Sequence, residues 1–125
     1  MKEGILVSII ISTRNKPWET ISKSLDSILS SNFKNFEIIL IDQNNNEEVR
    51  SRIKNERKYN NILYLKSKET GLSKGRNLGI KHAKGEFLLF LDDDAILAKG
   101  FFEKIEKTLK ENQKKEIVFY GKVLN

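Results

Sequence analysis

The chain contains no cysteine, one proline and one histidine among its 125 residues. The lack of cysteine excludes a disulfide framework and any metal site built from thiolates. No apolar run approaches the roughly 18 residues that cross a bilayer. Residues 1–4 lead directly into the first predicted strand, so we expect no signal peptide. We therefore expect a cytoplasmic protein, with peripheral attachment at the inner face of the membrane as an open alternative.

The chain also lacks a continuous basic stripe, although its net charge is +6. Its 23 lysines and arginines are interleaved with 17 aspartates and glutamates, and no aromatic residues accompany a basic cluster. A nucleic-acid-binding surface usually shows such a pattern, so we do not expect nucleic acid as a partner. The pattern favours a solvated, lysine-rich surface.

Two periodicities alternate along the chain. Short apolar segments typical of strands buried on both faces are predicted at residues 7–11, 36–41, 62–65, 87–91 and 117–120. Stretches between them carry apolar residues at helical spacing, as from Trp18 to Leu29 and from Phe101 to Leu109. This alternation predicts an α/β fold, an open doubly wound, mainly parallel sheet with helices on both faces. We expect one domain spanning residues 1–125.

Local signals predict where the helices begin and end. Pro17 suits the first turn of the first helix, and Asn32 can stop it. The third helix is predicted over residues 73–83, with Gly85 as a left-handed stop. Trp18 begins an apolar helical stripe, so we interpret it as a core residue rather than a platform for a sugar ring.

Polar side chains follow three of the predicted strands. They are 12–15 (Ser-Thr-Arg-Asn), 42–44 (Asp-Gln-Asn) and 92–94 (Asp-Asp-Asp). In a doubly wound sheet, ligands bind at the carboxyl ends of the strands, where the strand order reverses. Four carboxylates at one edge repel one another unless a cation intervenes, and oxygen ligands of this kind suit Mg²⁺ or Mn²⁺. The alternative for the triple aspartate is a solvated turn in which one residue caps the next segment.

Four segments in order carry a family resemblance. They are 12–15 (Ser-Thr-Arg-Asn), 71–80 (Gly-Leu-Ser-Lys-Gly-Arg-Asn-Leu-Gly-Ile), 83–86 (Ala-Lys-Gly-Glu) and 90–94 (Phe-Leu-Asp-Asp-Asp). Together they resemble the family 2 glycosyltransferases of the GT-A fold, from about residue 5 to residue 124. That family carries a Gly-Leu-Ser…Ala-Arg-Asn segment, a Lys-Gly-Glu turn and an aspartate-X-aspartate motif.

The resemblance implies a role for each matching residue. Thr13 and Asp42 would line the pocket for the nucleoside base of a nucleoside-diphosphate sugar, a UDP-sugar by preference. Arg76 would reach the base or the diphosphate as a permanent planar cation. Asp92 and Asp94 would be the two metal-binding arms of the motif. Asp94 would bind Mg²⁺ or Mn²⁺ directly, and Asp92 would face the ribose or bind the metal through its waters. Further donor-binding residues would be Asn15 and Asp93, the latter with a structural role as its alternative.

The implied reaction is transfer of the sugar, with inversion, to a hydroxyl of a carbohydrate or lipid-linked acceptor in surface polysaccharide biosynthesis. Family catalytic domains continue for about another hundred residues, with the acceptor site and a general base. We therefore expect this chain to be the donor-binding part, with the base beyond Asn125 and an apolar face that favours a homodimer.

Three residues depart from the family pattern. Ser12 stands where many members have proline, Gln43 where many have a second aspartate, and Gly75 where alanine is usual. We interpret the change at Gly75 as an exchange of one small residue for another.

Other functions stay open at this point. A module that binds a nucleotide sugar without transferring it would have the same donor site. A receiver-like signalling domain has the same size, but it needs acidic residues where this chain has Ser12 and Lys66. The glycine spacing fits neither a P-loop nor a dinucleotide fingerprint. His82 and Lys74 are interpreted as surface residues.

Overall fold

The computed structural model describes residues 4–111 and 118–121. Five strands form one sheet: β1 Val7–Thr13, β2 Phe36–Asp42, β3 Leu63–Lys66, β4 Phe87–Asp92 and β5 Val118–Gly121. All pairings are parallel and the strand order is β3-β2-β1-β4-β5. The predicted doubly wound α/β fold is thus confirmed. The start of the fifth strand was predicted at residue 117, which lies outside the described residues.

Helices cover both faces of this sheet. They are α1 Trp18–Leu29, α2 Glu48–Asn55, α3 Leu72–His82 and α4 Phe101–Glu111, with a short 3₁₀ turn at Arg57–Tyr59. Within the part of the chain that the structure describes, no helix combines the length and apolar character that crossing a membrane requires.

Alternate residues of β1 face different helices. Ile9 and Ile11 of β1 belong to the larger apolar cluster, to which α1, α2 and α4 contribute. Ile10 points to the opposite face, in a smaller cluster that includes Leu78 of α3. Because both faces are covered, the strand is a continuous apolar run rather than an alternating one. Trp18 packs against the larger cluster, with its ring edge-on to Tyr59 at 5.8 Å between centroids, as a core residue would.

Two glycines let α3 lie close to the sheet. A Cβ added at Gly79 would be 2.5 Å from Ile10 Cγ2, and one added at Gly75 would be 2.0 Å from Ser12 Oγ. Distances this short are not found between real side chains, so neither position accepts a larger residue without movement. The glycine at position 75 is therefore not equivalent to the alanine that is usual in the family.

The predicted helix ends need correction. Helix α3 ends at His82, and the next residue, Ala83, is extended at φ −71° and ψ 137°. Gly85 is not a left-handed stop, because the described glycines with positive φ are Gly71 and Gly100. Its small size is used instead for packing, since a Cβ there would be 2.6 Å from the backbone nitrogen of Ser8.

The first helix also differs at both ends. Pro17 precedes α1 as its N-cap rather than lying within its first turn, and the helix ends at Leu29 before Ser30. Asn32 is therefore not the residue that stops it.

The strand order places the reversal point between β1 and β4. The chain passes from β1 outward to β3, then crosses back to β4 on the other side of β1. In the register of the sheet, Thr13 lies opposite Asp42 and Ser12 lies opposite Asp92. The polar residues that follow β1, β2 and β4 therefore meet at one edge, where doubly wound domains bind their ligands.

Candidate functional site

The chain turns tightly at the end of β4, and the three aspartates there differ in their exposure to solvent. The Ala95 N–H donates a hydrogen bond to the Asp92 carbonyl oxygen at 3.1 Å, and Ala95 is fully buried. Asp92 is exposed, Asp93 is buried and Asp94 is half-exposed. The segment is thus a turn, as the alternative interpretation held, but one in which a carboxylate points into the protein.

Lys16 lies between two of these carboxylates. Its Nζ is 3.6 Å from Asp93 Oδ1 and 3.6 Å from Asp94 Oδ2. The negative charges of Asp93 and then Asp94 raise the pKa of Lys16 above its ordinary value of 10.5. One ammonium group thus offsets part of the negative charge of two carboxylates at the reversal point of the sheet.

Burial governs the ionisation of Asp93. Loss of solvent raises the pKa of this carboxyl, and the neighbouring Asp94 adds to the rise, whereas Thr13 and Lys16 act in the opposite direction. Thr13 Oγ1 is buried next to it and makes no hydrogen bond of ordinary geometry with any described residue. A buried hydroxyl in this state leaves hydrogen-bonding capacity for a ligand.

The carboxylates after β4 fit a metal that is shared with a substrate. Mg²⁺ is commonly held by one or two protein carboxylates together with waters and phosphate oxygens. Asp93 and Asp94 already approach one cation together, so they could supply two such oxygens. Over residues 4–111 and 118–121, no three acidic or histidine side chains form a ready set of ligands. The remaining positions around an ion would therefore need water or a diphosphate.

Asp42 at the end of β2 is fully buried and held from several sides. Tyr64 Oη donates to Asp42 Oδ2, and Lys66 Nζ lies 3.4 Å from the same oxygen. The other oxygen, Oδ1, accepts from Asn44 Nδ2 at 2.8 Å and from the Asn44 N–H at 3.0 Å. Burial, together with the hydrogen bond to Asp42, raises the pKa of Tyr64. The Asp42 carboxylate is thus fixed in position by its neighbours.

Asn44 also connects the ends of β2 and β1. Its Oδ1 accepts a hydrogen bond from the backbone N–H of Asn15 at 2.7 Å. Asn15 has φ 60°, a left-handed conformation that asparagine tolerates better than most residues. Gln43, the departure from the family pattern, donates from Nε2 to the Gly71 carbonyl at 2.9 Å. It therefore holds the loop before α3 against the end of β2.

Arg76 lies on α3 and packs over an aromatic ring of β4. Its guanidinium carbon is 4.9 Å from the centroid of the Phe90 ring, a distance at which the cation and the ring attract each other. His82 and Lys74 on the same helix are exposed, as expected, and Lys74 pairs with Glu69 at 3.6 Å.

The structure thus joins the predicted residues in two groups. Thr13, Asp93 and Asp94 gather around Lys16, while Asp42 and Asn15 are linked through Asn44. Sequence reasoning missed Lys16, Tyr64 and Lys66. Lys66 ends β3, which lies next to β2, and this position was a usable signal for it. The partner of Lys16 depends on the adjacency of β1 and β4, which no local pattern reveals.

Comparison with known proteins identifies the family of this chain. The model of glycosyl transferase family 2 matches residues 8–120. An uncharacterized glycosyltransferase of Rickettsia bellii is 35% identical over 113 residues, covering 90% of this chain and 16% of that protein. A relative from Campylobacter jejuni, GalNAc(5)-diNAcBac-PP-undecaprenol beta-1,3-glucosyltransferase, is 34% identical over 97 residues, covering 75% of this chain and 31% of that protein. The chain therefore spans a minor part of the length of these relatives.

Among solved structures, S. aureus TarS 1-349 in complex with UDP-GlcNAc superimposes with a TM-score of 0.74 and 26% sequence identity. The match covers 86% of this chain and 32% of that chain. This likeness confirms the predicted GT-A fold. With a family match over nearly its whole length, the chain belongs to glycosyltransferase family 2.

Proposed function

We propose that this chain is the donor-binding part of a glycosyltransferase that takes a sugar from a nucleoside-diphosphate sugar, with UDP as the nucleotide. The observation that carries the proposal is the group formed by Thr13, Lys16, Asp93 and Asp94 at the reversal point between β1 and β4. That is where a doubly wound sheet binds nucleotides. The binding of UDP-GlcNAc by TarS supports the choice of nucleotide.

The nucleoside would bind beside Asn15 and Thr13, at the ends of β1 and β2. Asp42 Oδ1 is occupied by the amide of Asn44, which donates to it at 2.8 Å. A ring N–H of the base can therefore reach Asp42 only by replacing that amide. Because Tyr64 and Lys66 hold the other oxygen, the carboxylate would stay in place during this exchange.

The diphosphate would bind next to the turn after β4. Asp94 would hold Mg²⁺ or Mn²⁺, as the sequence predicts. We propose Asp93 rather than Asp92 as its partner, because Asp93 and Asp94 approach the same cation. Asp92 would be directed towards the ribose or the metal waters. A bound divalent ion would supply the positive charge that stabilises the leaving nucleotide. The Thr13 hydroxyl would donate to a donor oxygen, which would satisfy its buried hydrogen-bonding capacity. Arg76 would have to leave the face of Phe90 to reach the diphosphate.

The proposal for the acceptor rests on the membership of this chain in the family. We propose inverting transfer to a hydroxyl of a carbohydrate or lipid-linked acceptor in surface polysaccharide biosynthesis. The name of the Campylobacter jejuni relative includes an undecaprenol-linked glycan, which supports an acceptor of this class. Such an acceptor would bring the protein to the membrane surface, where its net charge of +6 favours anionic headgroups.

Calorimetric titration with UDP-GlcNAc and UDP, with and without Mn²⁺, tests the donor site. We expect binding that Mn²⁺ strengthens, that Thr13→Val weakens, and that Asp94→Ala abolishes. Glu103→Ala is the matched control, because it removes an exposed carboxylate from the first turn of α4 and should leave binding unchanged. Absence of nucleotide binding in the presence of Mn²⁺ would refute the proposal. Binding without hydrolysis or transfer would instead indicate a module that only holds the donor.

A further inference from the structure

We propose that Lys16 is a built-in cation that must leave the Asp93–Asp94 pair before a divalent metal can bind there. In the absence of a donor it would therefore keep metal affinity low. This inference rests on the proposed function, because it takes Asp93 and Asp94 as the carboxylates that hold the metal.

The two cations would compete for the same oxygens. Lys16 Nζ lies 3.6 Å from Asp93 Oδ1 and 3.6 Å from Asp94 Oδ2. A Mg²⁺ ion bound by both carboxylates would lie about 2.1 Å from an oxygen of each, closer to them than Lys16 Nζ lies. An ammonium group and a divalent ion at such a short separation repel each other strongly. Occupation by one cation therefore excludes the other.

The local structure explains why a cation is needed when no metal is present. The Asp93 side chain is only 10% exposed, and Asp94 follows it directly in the chain. A buried carboxylate next to a second negative charge is costly unless a positive charge compensates it. Thr13 Oγ1 lies close by, buried and without a hydrogen bond of ordinary geometry among the described residues, so the pocket retains a group for a ligand. The Asp93–Asp94 pair thus needs a compensating positive charge, and its pocket still offers a hydroxyl group to a ligand.

Lys16 is also able to leave. Its side chain is 39% exposed and extends from the connection between β1 and α1, with the ion pairs to Asp93 and Asp94 as its described polar contacts. Partly exposed ion pairs of this kind each stabilise a protein by about 1 kcal/mol or less. A metal that arrives with a diphosphate gains the phosphate oxygens as additional ligands, whereas a metal alone does not. The phosphate oxygens of a donor would therefore help the metal to overcome the cost of displacing Lys16.

Measurement of Mn²⁺ affinity without nucleotide separates this role from a purely structural one. We expect Lys16→Gln to bind Mn²⁺ about tenfold more tightly than the unaltered chain, the gain expected when two weak competing ion pairs are removed. Lys16→Arg keeps the positive charge and should retain weak binding. Lys23→Gln makes the same charge change at an exposed position of α1 and should also leave the affinity unaltered. Addition of UDP should tighten Mn²⁺ binding by both proteins, because the phosphate oxygens become additional ligands.

Equal or weaker Mn²⁺ affinity of Lys16→Gln would overturn the inference. Failure of both proteins to bind Mn²⁺ in the presence of UDP would overturn it as well. In that case, UDP binding measured in the same titrations would show whether the donor site itself stands. Thermal unfolding of Lys16→Gln and Lys23→Gln, followed in parallel, would show that the variants compared are folded.

Discussion

Ser8 and Gly85 are joined by a hydrogen bond from the Gly85 N–H to Ser8 Oγ, 2.8 Å long, although 77 residues separate them. Ser8 in turn donates to Glu37 Oε2 at 2.6 Å, and the same oxygen accepts from the Lys84 N–H at 2.7 Å. The Lys-Gly-Glu turn is thereby held against β1 and β2. The Lys-Gly-Glu motif, which helped to identify the family, therefore packs this turn against the sheet.

Replacement of Gly85 by alanine should destabilise the fold. The added Cβ would lie 2.6 Å from the Ser8 backbone nitrogen, which belongs to a central strand and cannot move away easily. We expect a loss of about 3 kcal/mol in the free energy of unfolding, at the upper end of ordinary overpacking. Urea denaturation measures it. Glu86→Ala alters the neighbouring exposed residue and should change stability by less than about 0.5 kcal/mol. Equal midpoints for the two variants would contradict this prediction.

Gly75→Ala should destabilise the fold, mainly because the added Cβ would clash with Ser12. The added Cβ would be 2.0 Å from Ser12 Oγ and 3.0 Å from Ser12 Cβ. We expect a loss of about 1–3 kcal/mol, and partial recovery when Ser12→Gly is combined with it. A double-mutant cycle followed by chemical denaturation should therefore give a favourable coupling of about 0.5–3 kcal/mol. Additive effects would show that the clash is relieved elsewhere, for example at Gln43.

Tyr64→Phe should cost more stability than Tyr59→Phe. Both variants remove a hydroxyl that donates to an aspartate, but Asp42 is fully buried whereas the side chain of Asp26 is 45% exposed. Loss of a hydrogen bond to a buried charged group costs about 1.5–3 kcal/mol, and water can replace the one to Asp26. Thermal unfolding compares the two variants. UDP titration adds an independent check, since only Tyr64→Phe should weaken nucleotide binding.

The stability of Asp93→Asn relative to the unaltered chain should depend on pH. Burial raises the pKa of Asp93 above its ordinary value of 3.8, so the folded state binds this proton more tightly than the unfolded state does. The stability that results is fully present below pH 3.8 and is lost as pH rises through the pKa of the folded state.

We therefore expect the unfolding temperature of Asp93→Asn, measured against that of the unaltered chain, to rise as the pH increases from below 4 towards neutrality. Glu103→Gln removes an exposed carboxylate and should show no such trend. A difference for Asp93→Asn that stays constant or falls with pH would contradict the prediction.

Much of the fold could be predicted from local patterns. Strand β4 and the buried residues Phe102, Ile105 and Leu109 of α4 lie where the apolar spacing placed them. The predicted helix ends were wrong. Gly85, for example, was predicted to end α3 in a left-handed conformation, which is a common role of glycine after a helix. Its actual use, a close approach to Ser8, depends on a strand that lies far away in the sequence.

For the candidate site, the sequence by itself determined which chemical groups follow the strands. Oxygen-rich segments after three parallel strands had to meet at one edge of the sheet, since parallel strands end on the same side. Only the tertiary structure decided how those groups pair. The position of β4 beside β1 brings Lys16 to Asp93 and Asp94, and the position of β3 beside β2 brings Tyr64 and Lys66 to Asp42. The physical reason is that strand order and register set the distances between residues of a parallel sheet. Neither can be predicted from the local pattern of any one strand.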